Sequence, residues 1–335
     1  MQLPLKPFAL AAVLAAALGA PAAARAAVIA PGYTVSEIAL PDFAAGDVVV
    51  VGDALFVGVG PAFVGGQQSV LRVDANGTTV VATGFQGLGG LAYDAANDRL
   101  LVSDNALEAP FAVTGDTLFA IPDPLTRTTA QAALGSELFD AGSFAGLADI
   151  ELDPSDASGD TLFATHSSTT NQVLRIALGA GTVTPLQTTA GFAAGVATDG
   201  ATLWYGEVAF DEESFSTIGT VSGVALPGTG TPAELATDLP GQYDLELASD
   251  GTLLATAGDR VVRIDPLTRE TTPIATGFGF ATGLFARDGS LWVLDGGFPG
   301  VAAIYHLTPV PEPGGATVVP FALAGLALRA RRAGR

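Results

Sequence analysis

The feature that most limits how this chain can fold is an internal repeat. Residues 69–85 read SVLRVDANGTTVVATGF, residues 172–192 read QVLRIALGAGTVTPLQTTAGF, and residues 261–278 read VVRIDPLTRETTPIATGF. Each joins an apolar strand carrying an arginine to a Thr-rich strand that closes on Gly-Phe. The pentapeptide Asp123-Pro124-Leu125-Thr126-Arg127 recurs unchanged as Asp265-Pro266-Leu267-Thr268-Arg269. Asp199-Gly200, Asp250-Gly251 and Asp288-Gly289 each separate two β-runs, where such pairs favour tight hairpin turns. Helix signals are few. A chain of short strands repeating at a fixed period must stack equivalent units side by side to bury their faces.

The period identifies the unit. Innermost strands are expected near Val48–Val51, Leu91–Tyr93, Ile150–Leu152, Val196–Thr198, Leu245–Leu247 and Leu284–Ala286, a mean spacing of about 47 residues. That is the length of a four-stranded propeller blade. The expected fold is therefore all-β: a six-bladed β-propeller over residues 27–308, with a β-sandwich or a solenoid as the alternative use of such strands. The sixth blade contains only three strands before Pro309. Tyr33–Leu40 precedes the first inner strand as the other Thr-rich strands precede theirs, so it is expected to supply the missing outer strand and close the ring. Closure leaves no open sheet edge, and offers stability to a chain with no cysteine.

Composition removes several chemistries. No cysteine excludes disulfides and thiolate catalysis. The single lysine, Lys6, excludes a P-loop or a Schiff base in the repeat region. The net charge of -20 speaks against nucleic-acid binding, which relies on neutralising phosphates. That charge is unevenly spread. Residues 1–26 contain Lys6 and Arg25 with no acid, and the last seven residues hold Arg329, Arg331, Arg332 and Arg335. Between these ends, eight arginines face all 34 acids, so the intervening chain carries −26.

Both ends have the pattern of targeting segments. An apolar run from Phe8 to Ala20 precedes Ala24-Arg25-Ala26, which fits a signal-peptide cleavage site and predicts removal of residues 1–26. The expected partners of that step are the Sec translocon and signal peptidase. At the other end, Val310-Pro311-Glu312-Pro313 leads into an apolar stretch from Gly314 to Leu328 and then the arginine cluster. Fifteen helical residues reach roughly 22 Å, short of the roughly 30 Å bilayer core, and Pro320 interrupts a helix there. This segment, residues 309–335, resembles the PEP-CTERM sorting tail of Gram-negative bacteria: Pro311-Glu312-Pro313, a short hydrophobic helix, and a basic cluster containing Arg329, Arg331 and Arg332. The alternative is an ordinary C-terminal anchor. The resemblance implies recognition by an exosortase, a transient inner-membrane anchor, cleavage near Pro311-Glu312-Pro313, and delivery to the cell surface or an exopolysaccharide matrix. A monomer is expected.

In a propeller, the innermost strands line the central channel. Aligning their starts gives Asp47, Gly90, Asp149, Gly195, Asp244 and Gly283, an alternation of acid and glycine. Two residues on, and thus on the same strand face, stand Val49, Ala92, Glu151, Ala197, Glu246 and Phe285. The ends of the second strands add Asp104-Asn105, His166, Glu207 and Asp295. Carboxylates converging without a cationic partner suit a hard cation such as Ca²⁺, which takes six to eight oxygen ligands. Asp149, Glu151, Asp244, Glu246, Asp104 and Asn105 are the candidate metal ligands. The blade pattern loosely resembles that of the SMP-30/gluconolactonase-like and NHL-type propellers, in which a metal or substrate sits at the top of the channel. No lactonase motif matches residue by residue. Gly-x-Ser-x-Gly is absent, and His166 is expected on an exposed loop. The expected function is a binding or structural module rather than an enzyme, with extracellular polysaccharide as a candidate partner. The alternative is a Ca²⁺-dependent lactonase- or esterase-like hydrolase that uses the channel-mouth acids.

Overall fold

The computed structural model describes residues 28–60, 68–104, 107–108, 112–113, 117–133, 137–140, 147–166, 171–211, 216–228, 230–296 and 302–311. The signal segment with Ala24 and Ala26, Asn105, Glu312, Pro313 and the arginine cluster lie outside them. Among the described residues the regular structure is entirely β.

The strands assemble into six sheets of four or five strands, plus one short hairpin. Each sheet is one blade, and every inner strand expected from the repeat is present. In chain order these are Ala44–Val51, Leu88–Asp94, Leu147–Leu152, Phe192–Thr198, Leu245–Leu247 and Ala281–Arg287. The second strands are mainly apolar, and in Ala54–Val59, Thr161–His166 and Leu253–Ala257 every residue is buried. Such a run has no polar face because a neighbouring blade covers each side of it. The core is divided accordingly into six clusters, one at each joint between blades. The period-2 alternation of the first inner strand shows how: Val48 and Val50 pack with Trp292, Leu294 and Ile304 of blade 6, while Val49 and Val51 pack with Leu91, Leu100 and Val102 of blade 2. A fully buried side chain such as Phe56 or Phe163 contributes about 1.5–3 kcal/mol.

The ring closes as the strand count requires. Tyr33–Ala39 pairs antiparallel with Ala303–Pro309, in register from Tyr33 opposite Pro309 to Ala39 opposite Ala303. Blade 6 is thus built from both ends of the domain, in the spatial order inner, second, third and N-terminal strand. A two-residue Asp288-Gly289 turn with both residues at positive φ joins its first two strands, since Arg287 pairs with Ser290.

One joint departs from the simple repeat. On the third strand of blade 1, Arg72 directs its Nη1 at the carbonyl oxygens of Pro124, Leu125 and Arg127, at 3.1, 2.6 and 3.1 Å. Its Nε meets Asp74 at 2.9 Å. This grip on the Asp123–Arg127 turn of blade 2 brings Gln131-Ala132 alongside Ala82-Thr83, where they pair in parallel and give blade 1 a fifth strand. The identical pentapeptide in blade 5 lacks this clamp. There the Asp265 carboxylate caps the Leu267 and Thr268 N–H groups, and Arg269 is left-handed, whereas Asp123 is the left-handed residue of the first copy. Tertiary context selects between two conformations of one sequence.

Removing Tyr33–Ala39 would strip blade 6 of its outer strand and expose an edge. We expect the truncated chain to lose the sharp thermal unfolding transition of the full chain, monitored by circular dichroism. An unchanged transition would mean that the ring does not depend on this strand.

Candidate functional site: the acidic channel

The six inner strands converge on an axial cavity of about 230 Å³, lined by Asp47, Asp149, Glu151, Asp244 and Glu246 among apolar neighbours. The alternation of acid and glycine has a direct structural cause. Each aspartate sits on an odd-numbered blade and reaches the inner strand of the next blade. Asp149 Oδ2 accepts the Val196 N–H at 2.7 Å, and Asp244 Oδ2 accepts the Leu284 N–H at 2.5 Å. Asp47 Oδ2 faces the Leu91 N–H at 3.5 Å, a longer and weaker contact. The other oxygens of Asp47 and Asp149 bond the N–H of the following residue, Val48 at 2.6 Å and Ile150 at 2.8 Å.

The glycines make room for these carboxylates. A Cβ on Gly90 would lie 2.6 Å from Asp149 Oδ1, one on Gly283 2.8 Å from Asp47 Oδ1, and one on Gly195 2.6 Å from the Asp244 Cα. Each aspartate therefore bonds forward to one blade and packs back against the glycine of the blade before it. Acids at the ends of the second strands complement this arrangement on the even-numbered blades. Asp104 accepts the N–H groups of Gln86 and Gly87, Glu207 accepts that of Gly191, and Asp295 accepts those of Gly279 and Phe280. All of these N–H groups belong to the segments leading into the inner strands. The true period of the molecule is two blades, repeated three times.

Glu246 also bonds to backbone, through the Ala286 N–H at 3.1 Å. Glu151 differs: among the described residues, no hydrogen-bond donor reaches its carboxyl group. It faces Asp149 and Asp47 electrostatically, and burial with this like charge raises its pKa to about 8. Burial raises Asp149 to about 7, against the opposing pull of the Val196 and Ile150 N–H groups. Asp47, Asp244 and Glu246 are likewise raised, first by burial and then by their acidic neighbours. Carboxyls crowded in low dielectric cannot all ionise; the cluster holds protons that water-exposed carboxyls release.

The structure thus brings together four of the six candidate metal ligands, Asp149, Glu151, Asp244 and Glu246, and separates Asp104, which is committed to Gln86 and Gly87. Among the described residues no group of three or more His, Asp or Glu side chains is arranged to hold a metal ion. His166 requires a correction. It is fully buried at the end of a second strand, not on an exposed loop, because the all-buried run of that strand extends one residue beyond its apolar part. Sequence reasoning offered no sign of the hydroxyls that support the aspartates: Thr165 Oγ1 accepts the Asp149 N–H, and Thr256 Oγ1 accepts those of Tyr243 and Asp244. Their signal is a Thr at the same level of two odd-blade second strands.

These shifts make stability depend on pH in a defined direction. Asp149 and Glu151 bind protons more tightly in the folded chain than in the unfolded one. Their contribution is complete below the ordinary carboxylate range and is lost as pH rises through about 7 and 8. We expect the melting temperature to be higher at pH 5 than at pH 9, with a smaller difference in Glu151→Gln. A melting temperature that rises from pH 5 to pH 9 would contradict this description of the cluster.

No family model matches the chain, and no curated relative matches its sequence. Its backbone does resemble solved structures. A gluconolactonase from Xanthomonas campestris superposes with a TM-score of 0.58 at 15% identity, over 90% of this chain and 93% of its own. Virginiamycin B lyase from Staphylococcus aureus gives 0.51 at 14% identity, over 84% and 89%. A chain of a nidogen–laminin complex gives 0.52 at 14% identity, over 72% and 84%. Likeness at such identities shows a shared fold alone, and that fold is the six-bladed β-propeller built up above.

Proposed function

We propose that this protein is an exported binding module: a six-bladed propeller displayed at the cell surface or in an exopolysaccharide matrix, where polysaccharide is its ligand class. The observation that carries the reading is how the acids of the channel, Glu151 apart, and those at the second-strand ends are used. Asp47, Asp149, Asp244, Glu246, Asp104, Glu207 and Asp295 all accept backbone N–H groups. A general base must instead be free to reach a proton on substrate. Acids of this kind hold a scaffold together, and a rigid scaffold displaying loops is suited to binding. Export rests on the two ends of the sequence, the Ala24-Arg25-Ala26 site and the Pro311-Glu312-Pro313 segment with its apolar and basic continuation. Processing by signal peptidase and an exosortase follows from that reading, as does an inner-membrane stage before release.

One observation favours a second reading, a Ca²⁺-dependent lactonase or esterase. Glu151, uncommitted to backbone and with its pKa raised to about 8, has the properties of a tuned acid or base. A single preparation separates the two: protein recovered from the surface of its native host. The binding-module reading expects an intact mass lacking residues 1–26 and shortened near Pro311-Glu312-Pro313, with no turnover of lactones or esters, with or without Ca²⁺. A C-terminus still at Arg335 would overturn the sorting claim, and turnover abolished by Glu151→Gln would overturn the binding claim.

A further inference from the structure

The Arg72 clamp belongs to a pattern that runs around the ring. At two joints, a polar side chain of an odd-numbered blade holds carbonyl oxygens in the next blade's connection between third and fourth strands. Arg72 holds those of Pro124, Leu125 and Arg127. Between blades 3 and 4, Gln187 Nε2 donates to the Gly228 oxygen and, at 3.1 Å, to that of Gly230. The third such joint, between blades 5 and 6, has the donor without the contact. Arg263 takes the place in Val261-Val262-Arg263-Ile264-Asp265 that Arg72 takes in Val70-Leu71-Arg72-Val73-Asp74. Val70 packs in the core cluster shared with blade 2, and Val261 in that shared with blade 6. Two residues on, and so on the same strand face, Arg263 is turned toward blade 6 as Arg72 is toward blade 2.

Arg263 nevertheless has a buried Nε with no hydrogen-bond partner among the described residues. Its acidic neighbours are engaged elsewhere. Asp265, the counterpart of the Asp74 that pairs with Arg72, accepts the Leu267 and Thr268 N–H groups at 2.8 and 3.0 Å. Asp250 feels the Arg263 charge, but its Oδ1 is bonded to the N–H and hydroxyl of Thr252. A buried guanidinium N–H left without an acceptor is costly.

The two joints match closely otherwise. The Phe85 and Phe119 rings meet edge-on at 5.3 Å, and those of Phe278 and Tyr305 at 5.5 Å. The Ala133 N–H bonds the Thr83 oxygen at 2.8 Å, and the Ile29 N–H that of Thr276 at 2.9 Å. They differ in connectivity: blade 6 takes its fourth strand from the N-terminal end of the domain, so no connection from its third strand passes Arg263. The chain leaving blade 6 begins there instead. Ile121 opposite Leu100 corresponds to Leu307 opposite Leu291. Counted on from these pairs, Pro124, Leu125 and Thr126 correspond to Val310, Pro311 and Glu312. The blade 2 turn closes through the Arg127 N–H on the Asp123 oxygen at 3.1 Å. Its counterpart, Pro313, has no N–H, so this segment cannot present carbonyls in the same turn. It carries a carboxylate, on Glu312, where the turn has Thr126.

From this correspondence we infer that Arg263 is the docking point for this chain's own C-terminal segment, with the Glu312 carboxylate as its partner. A guanidinium and a carboxylate form short, charge-assisted hydrogen bonds. Glu312 directly follows Pro311, whose neighbour Val310 is tied by its N–H to the Gly32 oxygen at 2.8 Å, so little further chain must be ordered to reach Arg263. The contact holds the Pro311-Glu312-Pro313 segment against blades 5 and 6. It goes beyond the binding-module reading and is independent of whether the segment is later cleaved.

The test is a double-mutant cycle on the full-length protein in mild detergent at pH 7, read as melting temperature. Arg263→Gln and Glu312→Gln are each expected to lower it by about 2–4 °C, and the double variant by no more than the larger single effect. Exchanging the charges, Arg263→Glu with Glu312→Arg, is expected to recover at least half of the loss seen in Arg263→Glu alone. Glu312 lies beyond the last strand, so its variant reports even if substitution of Arg263 prevents folding. A melting temperature unchanged by Glu312→Gln overturns the inference, as do additive single effects with no recovery on charge exchange. Failure of exosortase processing in the native host would leave this result untouched.

Discussion

The whole ring depends on one contact made three times: an aspartate on one inner strand accepting, or facing, a backbone N–H on the next. A propeller has few covalent or ladder connections between its blades, so apolar packing alone must fix their angular spacing. Hydrophobic contact is non-directional, and sheets in face-to-face contact can slide. Hydrogen bonds from Asp149 to Val196 and from Asp244 to Leu284, at 2.7 and 2.5 Å, add the direction that packing lacks. The contact from Asp47 to Leu91 is longer, at 3.5 Å, and blade 1 has a second attachment to blade 2, the clamp of Arg72 on the Asp123–Arg127 turn. The joint with the longest aspartate contact therefore carries an additional one.

This use of acids has an electrostatic consequence. Bringing three aspartates to the axis, with Glu151 and Glu246 two residues on, crowds five carboxyls into one cavity with no basic side chain among the described residues that line it. The backbone N–H groups pull their pKa values down, but burial and mutual repulsion push harder, and the balance lies above the ordinary carboxylate range. The formal charge of −26 counts every acid as ionised; burial raises the axial carboxyls, so the folded region carries a smaller negative charge than that formal value.

Much of the fold was legible in the sequence, because its signals are local. Asp-Gly turns, mainly apolar second strands and Thr-rich outer strands each report on a few adjacent residues, and their period sets the blade count. Even the closing strand, Tyr33–Ala39, could be placed by counting what blade 6 lacked. The alternation of acid and glycine was also visible, but its meaning was not. An aspartate whose acceptor role is filled by an N–H 47 residues away, as Asp149 is by Val196, reads in sequence as a free ligand. His166 and the fifth strand of blade 1 were missed for the same reason: burial of the first and capture of the second depend on neighbours distant in sequence.

The central claim is that the channel acids are scaffold rather than catalytic machinery, and the thermal stability of Asp149→Ala at pH 5.5 tests it most directly. A functional acid held among like charges strains the fold, and its removal commonly raises stability. A structural acceptor leaves a buried N–H unsatisfied when removed, at a cost of about 1–3 kcal/mol. The account predicts a lower melting temperature for the variant. A melting temperature equal to or above that of the parent chain would contradict it.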